Sequence, residues 1–214
     1  MLVIGLTGSI GMGKSTAAAR FAKHGIPVFD ADAVVHGLYS GKAAPLIEGR
    51  FPGTTIDDRV DRERLGARLM GDEKALADLE AIIHPLVREA REDFLKTHAR
   101  AGAGMVVLEI PLLFEVGADR QVDVTVVVSA PQSIQRERVL RRPNMTEEKL
   151  DALLANQMPD GEKRKRADFV VDTSRPIEET AVEIDKLVES LRGRDGQAFP
   201  SNSGSSAGLG HSKG

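Results

Sequence analysis

Cysteine and tryptophan are absent from this 214-residue chain, and Tyr39 is its single tyrosine. Without thiols there is no disulfide scaffold, thiolate metal site or cysteine nucleophile, and the composition fits a reducing compartment such as the cytoplasm. The shortage of aromatic planes leaves little with which to stack unpaired nucleic-acid bases. An excess of either charge is missing as well: 29 basic and 32 acidic residues are interleaved, for a formal net charge of -3. No broad basic surface invites nucleic acid, so an anionic ligand must be met by a local site. Long apolar runs are lacking too. The opening residues 1–6 have no basic flank and pass directly into glycines, which argues against a signal peptide or a membrane span.

What is present is a series of short, nearly continuous apolar runs rich in β-branched residues, at 2–6, 26–29, 105–110, 122–128 and 169–171. Strands covered on both faces read this way. Helical spacing fills the intervals at 14–24, 76–100, 131–141, 147–157 and 177–192, so the chain is predicted to be an α/β fold of three layers around a five-stranded parallel sheet. Residues 1–32 and 101–192 are expected to form the core, and 33–100, which shows no convincing strand, a helical insertion. Pro85 should kink or restart the last helix of the insertion near His84. From 193 to 214 the chain turns to Gly, Ser, Asn and His, a tail expected to be disordered and to be removable without cost in stability.

Between the first strand and the first helix stands Gly8-Ser9-Ile10-Gly11-Met12-Gly13-Lys14-Ser15, followed by Thr16, which matches the Walker A pattern G-x-x-x-x-G-K-[ST]. Backbone N–H groups and a helix N-terminus converge there on one anion site. The glycines let the backbone approach phosphate closely. Lys14 reaches the β and γ phosphates of ATP, and the Ser15 hydroxyl suits Mg²⁺. The pattern specifies nucleoside triphosphate binding but leaves the acceptor open.

The acceptor must be read from carboxylates and cations elsewhere. No guanine-reading Asn-Lys-x-Asp motif is present, which weighs against a GTPase. Asp30-Ala31-Asp32 closes the second strand, at the end of the sheet where open α/β folds build their sites. Asp32 is the candidate general base for an attacking hydroxyl, the alternative being that it caps the next helix, and Asp30 could share the metal. Glu109 sits where a Walker B acid often sits, and Glu115 could face the acceptor; both also suit the polar end of a core strand. Gln135, Arg138 and Arg142 share one helical face and would present guanidinium groups to the transferring phosphoryl. Arg136 and Arg141 read as solvated. Residues 143–166 form a candidate lid, with 162–166 as a solvated basic helix face within it.

Taken with Ile83-His84-Pro85 and Pro111-Leu112-Leu113-Phe114-Glu115, these motifs make the chain resemble the dephospho-CoA kinase family over residues 1 to about 192. The resemblance implies a P-loop kinase core with a helical acceptor-binding insertion and a small lid, in a monomer or weak homo-oligomer. It implies ATP-dependent phosphorylation of the ribose 3′-hydroxyl of dephospho-CoA, the last step of coenzyme A synthesis. It further implies that Asp32 is the base, that Lys14 and Ser15 serve phosphate and Mg²⁺, and that Arg138 and Arg142 are lid arginines. Arg62, His84, Pro85, Leu113, Phe114 and Glu115 are similar to acceptor-pocket positions. The chain departs from the family at Ser9 and Met12, at Pro143-Asn144 after the lid arginine, and at Asp172-Thr173, where adenine contacts are expected. Another hydroxyl kinase, such as a nucleoside monophosphate kinase, and a regulatory ATP-binding module remain the competing readings.

Overall fold

The computed structural model describes residues 1–199. Five parallel strands form the sheet, β1 (Leu2–Thr7), β2 (Val28–Asp30), β5 (Met105–Glu109), β6 (Val124–Ser129) and β7 (Phe169–Asp172), in the order β2-β5-β1-β6-β7. Every residue of β1 and β6 is buried, which is why their sequences run apolar without alternation. The chain leaves β1 through α1 (Lys14–Lys23) toward one sheet edge and later returns past it to β6. The strand order therefore reverses around β1, and the crevice for a ligand opens at its carboxyl end. Along that edge Leu6, Glu109 and Asp30 are register partners on adjacent strands.

Helices cover both faces. Leu2, Ile4, Leu6, Val126 and Val128 pack with Phe21 of α1 and with Ile184, Val188 and Leu191 of α9 (Ile177–Leu191). On the other face Val3, Phe29, Val106 and Leu108 pack with Leu95 of α5 (Glu73–Arg100). Arg20 of α1 and His24, the residue that caps its end, both reach Asp185 of α9, His24 at 2.6 Å. Arg20 first, then His24, hold the Asp185 carboxyl well below its ordinary value.

The insertion has a core of its own, in which Ile47 of α3 (Ala44–Arg50), Phe51, Leu65 of α4 (Arg62–Leu69) and Leu79 and Ile83 of α5 meet. Three details differ from the sequence-based expectation. A two-residue ribbon, β3 (Thr55–Ile56) with β4 (Arg59–Val60), lies inside it. Asp57 and Asp58 between them both have positive φ, 49° and 57°, and an Asp–Asp pair can make the primed turn that a short hairpin needs. The long helix runs unbroken through Pro85, because the twelve residues before the proline supply enough turns to outweigh one lost hydrogen bond. Its second half packs on the sheet, so the insertion shares α5 with the core and has no boundary at residue 100.

The segment expected to be a lid consists of α7 (Glu147–Ala155), whose N-cap Thr146 side chain accepts from the Lys149 N–H, and α8 (Asp160–Arg166). Arg136, expected to be solvated, instead clasps α7 to α6 (Gln132–Leu140) by pairing with Glu147 and with Asp151 at 2.7 Å. The basic run of α8 is solvated apart from Lys163, which is fully buried.

The tail also needs correction. Gln197 and Ala198 donate their N–H groups to Asp123 Oδ1 at 2.6 and 2.7 Å, while Asp123 Oδ2 accepts from Val3 at 2.8 Å. Residues 193–199 are thus tied to the start of β1, and residues 200–214 lie outside the described residues. Hydrogen bonds to a charged group contribute about 1.5–3 kcal/mol each. Deleting residues 193–214 should therefore lower the melting temperature by several degrees in a thermal scan; an unchanged value would show that these contacts contribute nothing.

Candidate active site

The phosphate loop turns where no side chain would fit. A Cβ on Gly8 would meet Val128 Cγ2 at 2.4 Å and the Val128 carbonyl oxygen at 2.8 Å, so the loop sits directly on β6. Gly11 has φ +78° and would place a Cβ 2.5 Å from Val139. Met12, one of the departures from the family pattern, is buried in the core, and its sulfur accepts the Ala130 N–H. Its side chain thus points away from the cradle. Among the described residues the N–H groups of Gly11, Gly13, Lys14 and Ser15 have no protein acceptor. Four orphan donors at a helix start are a site for phosphate oxygens.

The Lys14 ammonium lies 2.7 Å from Glu109 Oε1 at the end of β5, both side chains nearly buried. Glu109 is thus the ion-pair partner of Lys14 at the end of β5. Ser15 and Thr16 are exposed at the helix start. Arg138, on α6, donates to the Thr173 carbonyl oxygen at 2.6 Å. The Thr173 hydroxyl donates to Met12 O at 2.9 Å, so the residue after β7 ties the arginine to the loop. Arg142, expected on the same helical face, instead lies two residues beyond the end of α6, where the chain has already left the helix; its side chain is exposed and has no hydrogen-bond or ion-pair partner among the described residues. A cavity of about 700 Å³ borders the loop here, lined by Ser9, Met12, Ser129, Gln135, Asp160 and Asp172 among others.

Asp30, and not Asp32, is the cap of the next helix. Its carboxylate accepts the Ala33 N–H at 3.0 Å and caps α2 (Ala31–Leu38). Asp32, in the first turn, is exposed and makes no hydrogen bond or ion pair among the described residues. It lines a cavity of about 530 Å³ with His36, Tyr39, Arg62, Leu65 and Leu69. Arg62 stacks over Tyr39, 5.6 Å from the ring centroid, and its guanidinium donates to His36 Nδ1 at 2.6 Å. Because arginine has no proton acceptor, His36 carries its own proton on Nε2 in this arrangement. His36 and Tyr39 escaped the sequence reading, although they lie four and seven residues after Asp32 and so share its helical face.

The other acceptor-pocket expectations fare differently. Leu113 and Phe114 are 0% and 5% exposed, and the first packs beside Gly5 under the sheet, so both belong to the core. His84 and Pro85 are exposed on α5 and do not line the Asp32 cavity. Glu115 faces Lys163 of α8 and the Met158 N–H.

A cavity of about 530 Å³ containing the free Asp32 carboxylate thus lies near the phosphate loop, with Glu109 between them in the strand register. Comparison with known proteins points to one family. The sequence model of the family described as dephospho-CoA kinase matches residues 2–179. A dephospho-CoA kinase of Mesorhizobium japonicum is 58% identical over 196 residues, covering 92% of this chain and 100% of that one. The crystal structure of TT1252 from Thermus thermophilus superposes with a TM-score of 0.78 at 35% identity, covering 90% of this chain and 98% of the other. Dephospho-CoA kinase from Campylobacter jejuni, 22% identical with a TM-score of 0.63 over 88% of this chain and 96% of its own, shares the fold. With the P-loop core, the helical insertion and these matches in agreement, the chain belongs to the dephospho-CoA kinase family.

Proposed function

We propose that this protein transfers the γ-phosphoryl group of ATP to the ribose 3′-hydroxyl of dephospho-CoA, with Asp32 as the general base. The observation that carries the assignment is the division of labour between Asp30, which caps α2, and Asp32, whose carboxylate is left free in the cavity. A carboxylate with no partner of its own can accept the proton as the hydroxyl attacks. Arg62, aimed by His36 and Tyr39, supplies the cation that an anionic acceptor needs in that cavity.

On the donor side Lys14 leaves Glu109 for the β and γ oxygens, and the loop N–H groups hold the phosphate chain. Arg138, fixed by Thr173, lies beside the loop and can meet charge developing on the transferred group. Arg142, exposed near the lid, joins it when the lid closes over ATP and excludes water. Among the described residues no three acidic or histidine side chains form a metal cage, which fits an ion that arrives on the nucleotide and keeps most of its ligands as water and phosphate. The Ser15 hydroxyl and Glu109 would hold Mg²⁺, which would neutralise phosphate charge. The reaction belongs to the cytoplasm in this reading, and the chain acts as a monomer or weak homo-oligomer.

A coupled assay of ADP release separates the possibilities. With ATP and Mg²⁺, release should depend on dephospho-CoA and stay near background with nucleoside monophosphates. Preference for a nucleoside monophosphate would reassign the acceptor, and ATP binding without transfer to any acceptor would make the protein a regulatory module.

A further inference from the structure

The lid and the loop after β5 are joined by a buried charge pair that the chemistry above leaves unused. Lys163 is fully buried, with Nζ 2.9 Å from Glu115 Oε1. The ammonium lies off the line of a good hydrogen bond, so charge rather than direction holds the contact. The same Oε1 accepts the Met158 N–H at 2.8 Å. Burial alone would raise the Glu115 carboxyl, but the Lys163 contact and then the Met158 N–H outweigh it, and its pKa is lowered. Glu115 is accordingly ionised at neutral pH. Buried ion pairs replaced by apolar groups often cost nothing in stability, so stability alone gives no reason for charges here.

Their position gives one. Met158 follows Gln157, whose Oε1 accepts the Ile10 N–H at 3.3 Å, and the Ile10 carbonyl accepts from Gln135 Nε2 at 2.8 Å. Both polar groups of Ile10 are therefore gripped by side chains, one from the lid segment and one from α6. The free N–H groups that face phosphate begin at the next residue, Gly11. We infer that Lys163, acting through Glu115 and Met158, sets Gln157 against Ile10 and so holds the phosphate loop in its ATP-binding shape. Lys163, Glu115 and Gln157 are positioning residues for the nucleotide, and Glu115 makes no acceptor contact. The kinetic part of this inference rests on the proposed reaction, whereas its binding part does not.

The test uses the full chain carrying Lys163→Met or Gln157→Ala, each checked for folding by circular dichroism. Affinity for a non-hydrolysable ATP analogue is measured by calorimetry, and KM is measured for both substrates. Each variant should weaken the analogue and raise KM for ATP about tenfold, because a displaced crest misaligns the neighbouring donors, while KM for dephospho-CoA stays within about twofold. Adding Glu115→Gln to Lys163→Met should restore melting temperature without restoring ATP affinity. A higher KM for dephospho-CoA with ATP unaffected would overturn the inference in favour of an acceptor role, and unchanged ATP affinity in folded variants would reduce the pair to packing. Should Lys163→Met fail to fold, Gln157→Ala decides alone, since that side chain is half-buried and uncharged. If the wild-type protein binds the analogue but does not use dephospho-CoA, the proposed reaction fails while the calorimetry still decides this inference.

Discussion

Replacing Asp32 by Asn should lower kcat by about 10²–10⁴-fold while ATP affinity changes little, the loss expected when a general base goes. Asparagine keeps the size of the side chain and most of its hydrogen bonding but cannot accept the acceptor's proton at neutral pH. The usual objection, that an acid at a helix start is a cap, is met by Asp30, which already holds the Ala33 N–H. Stability should therefore be unaltered within a few tenths of a kcal/mol. The measurement is turnover of the folded variant at saturating ATP, Mg²⁺ and dephospho-CoA, with ATP binding followed by calorimetry. Unchanged turnover would remove Asp32 from catalysis, and lost ATP binding would give it a metal-organising role.

Lys14→Ala should reduce kcat/KM for ATP by at least about 10²-fold, because a cation on the β and γ oxygens of a closed site has no solvent substitute. This substitution also has a structural consequence, since Glu109 is 5% exposed along its side chain and would be left without its partner. Breaking a buried pair from one side typically costs about 3–5 kcal/mol, so the single variant should melt at a lower temperature. Adding Glu109→Gln removes the orphaned charge and should recover most of that stability with no recovery of activity. Activity that returned together with stability would mean that Lys14 serves the fold alone.

The strands, the helices around them and the phosphate loop were legible because each rests on local chemistry: continuous β-branched runs, 3.6-residue periodicity, and glycines at fixed spacing before a lysine. Asp32 was legible as the candidate base, with helix capping as its alternative. That Asp30 is the cap required the observed hydrogen bond from Ala33, as both acids lie at the same helix start. Long-range partners were not legible. Glu115 and Lys163 are 48 positions apart, and Arg138 and Thr173 are 35 apart; nothing in either local pattern indicates that they meet. The basic run at 162–166 reads as solvated because four of its five members are so, and burial of the fifth is decided by where α8 sits over β6. Leu113 and Phe114, carried over by resemblance, proved to be core side chains, since a motif does not say which of its members face a ligand. The β3–β4 ribbon was missed because two-residue strands lie below the length at which alternation can be read.

The central claim is phosphoryl transfer to one hydroxyl, and product identity tests it most directly. Purified protein with ATP and Mg²⁺ should convert dephospho-CoA to coenzyme A, identified by mass spectrometry, with one ADP formed per molecule. An analogue of dephospho-CoA lacking the ribose 3′-hydroxyl should give no phosphorylated product. Phosphorylation of that analogue, or ADP release that does not depend on an acceptor, would contradict the account.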